Sequence, residues 1–139
     1  RVVNPRTKSI WVVDDEPDVL TYMMAFLEDE EFEVRGFESG DGFLDEARKS
    51  PPDLICLDIM MPSKSGLSVY KDLRSEERLG GIPVIIVSGY SRQEEFLDGE
   101  FQRLVGGGDV PEPDGYMEKP VRMNELLDLV RKLLSAGEA

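Results

Sequence analysis

Two short segments of this chain are apolar at every position, and they restrict its fold more than any other feature. Ile10 to Val13 and Val84 to Val87 contain no polar residue, whereas a strand with one face in water alternates polar and apolar side chains. Leu54 to Leu57 is a further short apolar run, in which Cys56 fits the same buried setting. Continuous apolar strands are typical of a parallel sheet with helices on both faces. We therefore expect an α/β fold with these segments as central strands.

Segments with helical spacing of apolar residues separate these strands, as alternating strand and helix units require. Such spacing runs from Val19 to Leu27 and from Leu67 to Leu73. A shorter helix is predicted from about Gly40 to Lys49. Near the end, from about Met123 to Leu134, leucines and a valine recur three and four positions apart. One face of this final helix should therefore pack on the sheet.

Two weaker strands complete the predicted sheet. They run from Glu33 to Phe37 and from Gly115 to Met117. Ahead of the second strand, the segment Gly106 to Gly115 is rich in glycine and proline, which disfavour the interior of a helix or a strand. We expect five strands and five helices, with 106–115 as an exposed loop.

Composition restricts the class of protein. The 139 residues suffice for one domain and are too few for two of ordinary size. Hydrophobic residues at 40% and charged residues at 32% are typical of a soluble globular protein. A net charge of −13 repels phosphate backbones and anionic lipids, so we expect no nucleic-acid or membrane binding by this segment. The sequence has neither a long apolar run nor a signal peptide, which predicts a cytoplasmic setting.

The chain contains no histidine and a single cysteine. Without histidine, Ser-His-Asp triads, histidine-ligated zinc and a phosphohistidine donor are all excluded. Cys56 lies between Ile55 and Leu57, which predicts a buried apolar residue and not a reactive thiol. In any phosphoryl transfer, this segment is therefore expected to be the acceptor.

Acidic residues stand directly after two of the central strands. Asp14 and Asp15 follow the first strand, and Asp58 follows the third. Because the carboxyl ends of parallel strands share one edge, where open α/β sheets bind their ligands, these carboxylates should converge. Magnesium prefers oxygen ligands and bridges carboxylates to phosphate. The cluster therefore predicts a site of metal-assisted phosphoryl transfer, in which one carboxylate attacks phosphorus.

Each of these residues also has a purely structural interpretation. The acids at 14–16 precede Pro17 and are suited to capping a helix, while Asp58 is suited to a turn. Their joint placement at the ends of the predicted strands favours a functional site. Ser88 follows the fourth strand and Lys119 follows the fifth, so polar groups from four strands face the same edge.

Four segments, taken in order, resemble the signatures of response-regulator receiver domains. They are Val12-Val13-Asp14-Asp15-Glu16-Pro17, Leu57-Asp58-Ile59-Met60-Met61-Pro62 with Gly66, Val87-Ser88-Gly89 and Tyr116-Met117-Glu118-Lys119-Pro120. Each fragment alone is a weak signal, whereas all four in order are a strong one. The resemblance implies a flavodoxin-like α/β fold, with a five-stranded parallel sheet in the order 2-1-3-4-5 and helices on both faces. It also implies a single domain over 1–139, with its core at about 8–136.

The resemblance implies a signalling phosphoacceptor and not an enzyme with its own substrate. Asp58 would take a phosphoryl group from a histidine kinase or phosphotransfer protein. Asp15 and Asp58 would ligate Mg²⁺ directly, Asp14 would act through a metal-bound water, and the backbone carbonyl of Met60 would be a further ligand. Lys119 would pair with a phosphate oxygen.

Two residues would report the modification. By the resemblance, the Ser88 hydroxyl donates a hydrogen bond to the phosphoryl group and Tyr116 moves inward. The structural alternative for Tyr116 is an edge-strand aromatic residue packed on the core. The output would be a partner protein or an attached domain, and a phosphorylation-dependent dimer is a further partner that the resemblance admits.

The chain departs from the family pattern between the fourth and fifth strands. Ser88 and Lys119 are separated by 30 residues, whereas a helix, a strand and two short loops need about 25 or fewer. Gly89 also stands where the family usually has alanine. We expect an extended region over about 91–115, in which 106–115 is mobile and makes few buried contacts.

Two other functions compete with this prediction. A small aspartate-dependent phosphohydrolase also uses strand-end aspartates, magnesium and a lysine, but it typically has an Asp-x-Asp pattern after the first strand. Here Asp14 and Asp15 are adjacent. A flavodoxin-like binding module needs a phosphate loop rich in hydroxyl groups or glycine, and the acids at 14–16 would repel a flavin phosphate.

Overall fold

The computed structural model describes residues 7–59, 66–89 and 110–136, in which strands and helices alternate. The strands are β1 (Ser9–Val13), β2 (Glu33–Phe37), β3 (Leu54–Asp58), β4 (Val84–Ser88) and β5 (Gly115–Glu118). The helices are α1 (Pro17–Asp29), α2 (Phe43–Lys49), α3 (Gly66–Ser75) and a C-terminal helix (Met123–Ala136). The predicted elements within the described ranges are all present. The helix predicted between β4 and β5, and Met60, lie outside the described residues.

The five strands form one parallel sheet in the order β2-β1-β3-β4-β5, which confirms the predicted order. The register aligns the ends of the strands: Val13 lies opposite Leu57, and Asp58 lies opposite Val87. On β5, Glu118 lies opposite Ser88. The residues that end β1, β3, β4 and β5, or directly follow them, therefore lie at one edge of the sheet.

Each face of the sheet carries its own apolar core. One cluster joins Trp11 and Val13 of β1 to α2 and α3, and the other joins Ile10 and Val12 to α1 and the C-terminal helix. Successive side chains of a strand point to opposite faces, so continuous apolar strands supply both clusters. Burial raises the pKa of the Cys56 thiol to about 12, as expected for an unreactive core residue. No helix in the described part of the chain has the length and apolarity of a membrane span.

The end of the extended region, Val110 to Asp114, contacts α3 more closely than predicted. The Tyr70 hydroxyl donates to the carbonyl of Pro111 at 2.6 Å, and Val110 packs against the core cluster on the α2 and α3 face. Arg74 pairs with Asp114 at 2.6 Å. The expectation of few buried contacts is wrong for this segment, because Tyr70 and Arg74 lie one turn apart on the same face of α3. Residues 106–109 lie outside the described ranges.

Candidate functional site

The polar side chains at the ends of the central strands are buried. Among the described residues, the buried polar or charged side chains are Asp14 and Asp58, each 1% exposed, and Ser88, 0% exposed. A buried carboxylate is costly unless a partner offsets its charge. These residues are three of the site residues predicted from the sequence, and the sheet register brings them to the same edge.

Lys119, directly after β5, is the cation that joins these acids. Its ammonium nitrogen lies 3.0 Å from Glu16 Oε1, 3.3 Å from Asp14 Oδ2 and 3.4 Å from Asp58 Oδ2. Its backbone N–H donates to the carbonyl of Ser88 at 2.7 Å, which holds the backbone of Lys119 against the end of β4. The structure therefore brings together the predicted lysine and two of the predicted aspartates.

The surroundings of Lys119 favour its charged form. Partial burial acts to lower the pKa of the ammonium group, but the hydrogen bond to Glu16 and the charges of Asp58 and Asp14 outweigh it. The pKa is therefore raised above its usual value. A charged lysine at this edge can attract an anionic group to the end of β3.

Asp14 orders the turn between β1 and α1. Its backbone N–H donates to Phe37 O at 2.9 Å, and its Oδ1 accepts the Glu16 N–H at 2.9 Å. Glu16 is the N-cap residue of α1, but its side chain makes no capping hydrogen bond and instead reaches Lys119. The prediction that these acids cap the helix is therefore wrong for the side chain of Glu16. The sequence alone did not indicate that Glu16 belongs to the site.

The acids after β1 have the chemistry of a hard-cation site. Carboxylate oxygens of Asp14, Asp15 and Glu16 lie within 4.8 Å of one another. Such oxygen donors fit Mg²⁺, which binds proteins through one or two carboxylates and keeps several waters. Asp58 is connected to this group because its Oδ2 and Asp14 Oδ2 contact the same ammonium nitrogen.

Gly66, the first residue of α3, lies against the backbone of Asp58. A Cβ atom at this position would clash with the carbonyl oxygen of Asp58 and lie 2.6 Å from Ile59 Cα. On the other side, the Ile59 N–H donates to Val87 O at 3.2 Å. The backbone around Asp58 is therefore held between β4 and the start of α3, which leaves no room for any side chain at residue 66.

Ser88 and Tyr116 lie on the neighbouring strands β4 and β5. Ser88 is fully buried at the end of β4. Tyr116 is half-buried on the edge strand, packs against the core cluster that contains Trp11 and lines a cavity of about 460 Å³. This position matches the structural interpretation of Tyr116, and its role as a switch stays a prediction.

Comparisons with known proteins agree on one family. The family model described as "Response regulator receiver domain" matches residues 10–131. The polar-differentiation response regulator DivK of Brucella ovis is 32% identical over 128 residues, which cover 92% of this chain and 97% of that protein. The probable transcriptional regulatory protein TcrX of Mycobacterium tuberculosis is also 32% identical, but the match covers 91% of this chain and only 49% of TcrX.

Solved structures share the fold. A CheY-like receiver domain protein from Methanospirillum hungatei superposes with a TM-score of 0.77 at 26% identity, covering 95% of this chain and 97% of that one. The response regulator TrrA from Thermotoga maritima, crystallised in complex with Mg²⁺-BeF, superposes with a TM-score of 0.73 at 29% identity. That match covers 91% of this chain and 99% of TrrA.

Proposed function

This chain belongs to the response-regulator receiver domain family, and from that membership we propose that Asp58 accepts a phosphoryl group from a histidine kinase or phosphotransfer protein. The modified chain then regulates a partner protein or an attached output domain. The observation that carries this proposal is the position of the Lys119 ammonium group, which lies 3.4 Å from the buried carboxylate of Asp58. As a receiver domain, the chain is a signalling protein and neither the phosphohydrolase nor the flavin-binding module considered above.

In the transfer, one carboxylate oxygen of Asp58 forms a new bond to phosphorus. The bond between phosphorus and the donor breaks, and its electron pair stays on the donor. Lys119 pairs with a phosphoryl oxygen and thereby offsets charge at the end of β3. The tight packing of Gly66 against Asp58 supports this role, because a fixed backbone holds the attacking oxygen in place.

Asp14, Asp15 and Asp58 are the carboxylates proposed to hold Mg²⁺, with the backbone carbonyl of Met60 as a further ligand. When bound, the ion would supply positive charge that offsets the negative charge of these carboxylates and of an incoming phosphoryl group. The carboxylate cluster after β1 supports this assignment, as does the Mg²⁺-BeF complex of TrrA.

Ser88 and Tyr116 are proposed to convert phosphorylation into a change at the surface. The Ser88 hydroxyl donates a hydrogen bond to a phosphoryl oxygen, and Tyr116 moves from its half-buried position toward the space that Ser88 leaves. The pairing of β4 with β5 supports this proposal. Ser88 lies opposite Glu118, and Tyr116 precedes Glu118 by two residues on β5.

Incubation with Mg²⁺ and acetyl phosphate is expected to add one phosphoryl group to this protein. Intact-mass spectrometry measures the addition, and peptide mapping after reductive trapping of the acyl phosphate locates it. We expect the label on Asp58, because its carboxylate faces the lysine at the strand edge. A protein that stays unlabelled under these conditions, or is labelled elsewhere, would contradict the proposal.

Trp11 is expected to report metal binding through its fluorescence. Its ring lies 5.1 Å from that of Phe37, and the Phe37 carbonyl accepts the backbone N–H of Asp14. A shift of Asp14 on metal binding should therefore change the surroundings of the indole. A titration with Mg²⁺ measures this change.

The Asp15→Ala variant is expected to lose the fluorescence response at Mg²⁺ concentrations that saturate the parent protein. Asp29→Ala is the matched control, because it removes an exposed acid from the far end of α1. If the Asp15→Ala titration matched that of the parent, the metal site would lie elsewhere.

A further inference from the structure

Glu16 makes the shortest of the three contacts between Lys119 and a carboxylate. Its Oε1 lies 3.0 Å from the ammonium nitrogen, compared with 3.3 Å for Asp14 and 3.4 Å for Asp58. An ammonium group has three N–H donors. Three carboxylates therefore surround a group with three donors, and an incoming phosphoryl oxygen competes with them for the ammonium group.

Glu16 is the carboxylate that costs least to displace. Its side chain is 59% exposed, so a released carboxylate returns to water. The side chains of Asp14 and Asp58 are only 2% and 1% exposed, and a buried carboxylate that loses its cation retains an uncompensated charge. The entering anion should therefore replace Glu16 and leave the other two contacts in place.

The backbone of Glu16 does not need to move for this exchange. Its N–H donates to Asp14 Oδ1 at 2.9 Å, its carbonyl accepts the Leu20 N–H at 3.0 Å, and Pro17 follows it at the first position of α1. These contacts hold the peptide in place while the side chain can rotate. The exchange is therefore a local side-chain rotation and not a rearrangement of α1.

We propose that Glu16 is a positioning residue that competes with the phosphoryl group for Lys119. In the unmodified chain it holds the ammonium group at the strand edge, and it withdraws when a phosphoryl oxygen takes its place. This inference rests on the proposed phosphoacceptor function. Its consequence is that Glu16 weakens the binding of phosphoryl-like anions and thereby raises the donor concentration at which the chain becomes modified.

The test compares Glu16→Gln with the parent protein at saturating Mg²⁺, using beryllofluoride as the probe. Binding is followed by Trp11 fluorescence or by NMR, and the apparent second-order rate constant for acetyl phosphate is measured in parallel. We expect beryllofluoride affinity and the rate constant each to rise about two- to fivefold, the size that a part-exposed ion pair supports. The thermal unfolding midpoint should stay within about 2 °C of the parent value.

Asp18→Asn is the matched control, because it removes one negative charge from the exposed first turn of α1, two residues away. A gain in Glu16→Gln that Asp18→Asn lacks supports the competition. An equal gain in both variants would mean that the lower net negative charge near the site causes the gain, which would overturn the inference. No gain, or weaker beryllofluoride binding in Glu16→Gln, would also overturn the inference. A parent protein that accepts neither beryllofluoride nor phosphate would instead contradict the proposed function itself.

Discussion

Replacing Asp58 by asparagine is expected to lower phosphorylation by acetyl phosphate to about one hundredth of the parental rate or less, because an amide oxygen is a far weaker nucleophile than a carboxylate. The side chain is 1% exposed and contacts Lys119. Its replacement should therefore remove the attacking oxygen without changing the rest of the site. This is the largest effect that we expect from a single substitution.

The same substitution should leave the protein folded. Asparagine is nearly isosteric with aspartate, and Lys119 keeps the carboxylates of Asp14 and Glu16 as partners. The measurement is the time course of phosphoryl incorporation by mass spectrometry, with circular dichroism to verify the fold. Asp29→Asn, which neutralises an exposed acid at the end of α1, is the control and should be labelled at the parental rate. Incorporation into Asp58→Asn at the parental rate would show that another residue is the acceptor.

Replacing Arg74 by methionine is expected to lower the free energy of unfolding by about 2–4 kcal/mol. The Arg74 side chain is only 6% exposed. Its guanidinium donates to the carbonyls of Gly80 at 2.9 Å and Ile82 at 2.7 Å, and to Asp114 at 2.6 Å. Methionine fills much of the same volume but removes the donor from the carbonyls of Gly80 and Ile82, while Asp114 keeps the Val84 N–H at 2.9 Å.

The size of this effect depends on how far water can replace the guanidinium group. Asp114 is 40% exposed, so its carboxylate is rehydrated in the variant, which is why the expected loss is smaller than for a fully buried pair. The part-buried carbonyls of Gly80 and Ile82 have less access to water. Their lost hydrogen bonds therefore supply most of the expected loss.

Urea unfolding measures the change, and Arg131→Met is the matched control. The Arg131 side chain is 56% exposed and pairs with Glu30 at 2.9 Å across the surface, so its replacement should cost about 1 kcal/mol or less. Equal losses in the two variants would contradict the structural role of Arg74. Folded Arg74→Met should still accept phosphate. Arg74 pairs with Asp114, which accepts the N–H of Val84 at the start of β4, whereas Ser88 and the candidate site lie at the other end of that strand.

The contacts of Tyr70 and Arg74 with Pro111 and Asp114 also change the expected effect of shortening the loop at 106–115. From composition alone, residues 106–115 are expected to be mobile, with few buried contacts, and dispensable for phosphorylation. A deletion that includes Pro111, however, removes the carbonyl that accepts the Tyr70 hydroxyl at 2.6 Å. Glycine and proline identify a segment without regular structure, but they do not indicate which distant side chains hold it.

Much of the fold could be predicted because the strands carry a local signal. Ile10 to Val13 and Val84 to Val87 are apolar throughout, and only a sheet covered on both faces buries such segments completely. The candidate site could be predicted in part for the same reason. Asp14, Asp58 and Ser88 end or directly follow central strands, and parallel strands bring their carboxyl ends to one edge.

Local periodicity and the order of the motifs are enough to predict the sheet, the edge at which the acids meet and the resemblance to receiver domains. The ion pair between Glu16 and Lys119, which lie 103 positions apart, is visible only in the folded chain. The same is true of the hydrogen bond from Tyr70 to Pro111, 41 positions away. Such contacts depend on how separate elements pack, and a charged or aromatic residue has the same local signal whichever partner it meets in the folded chain.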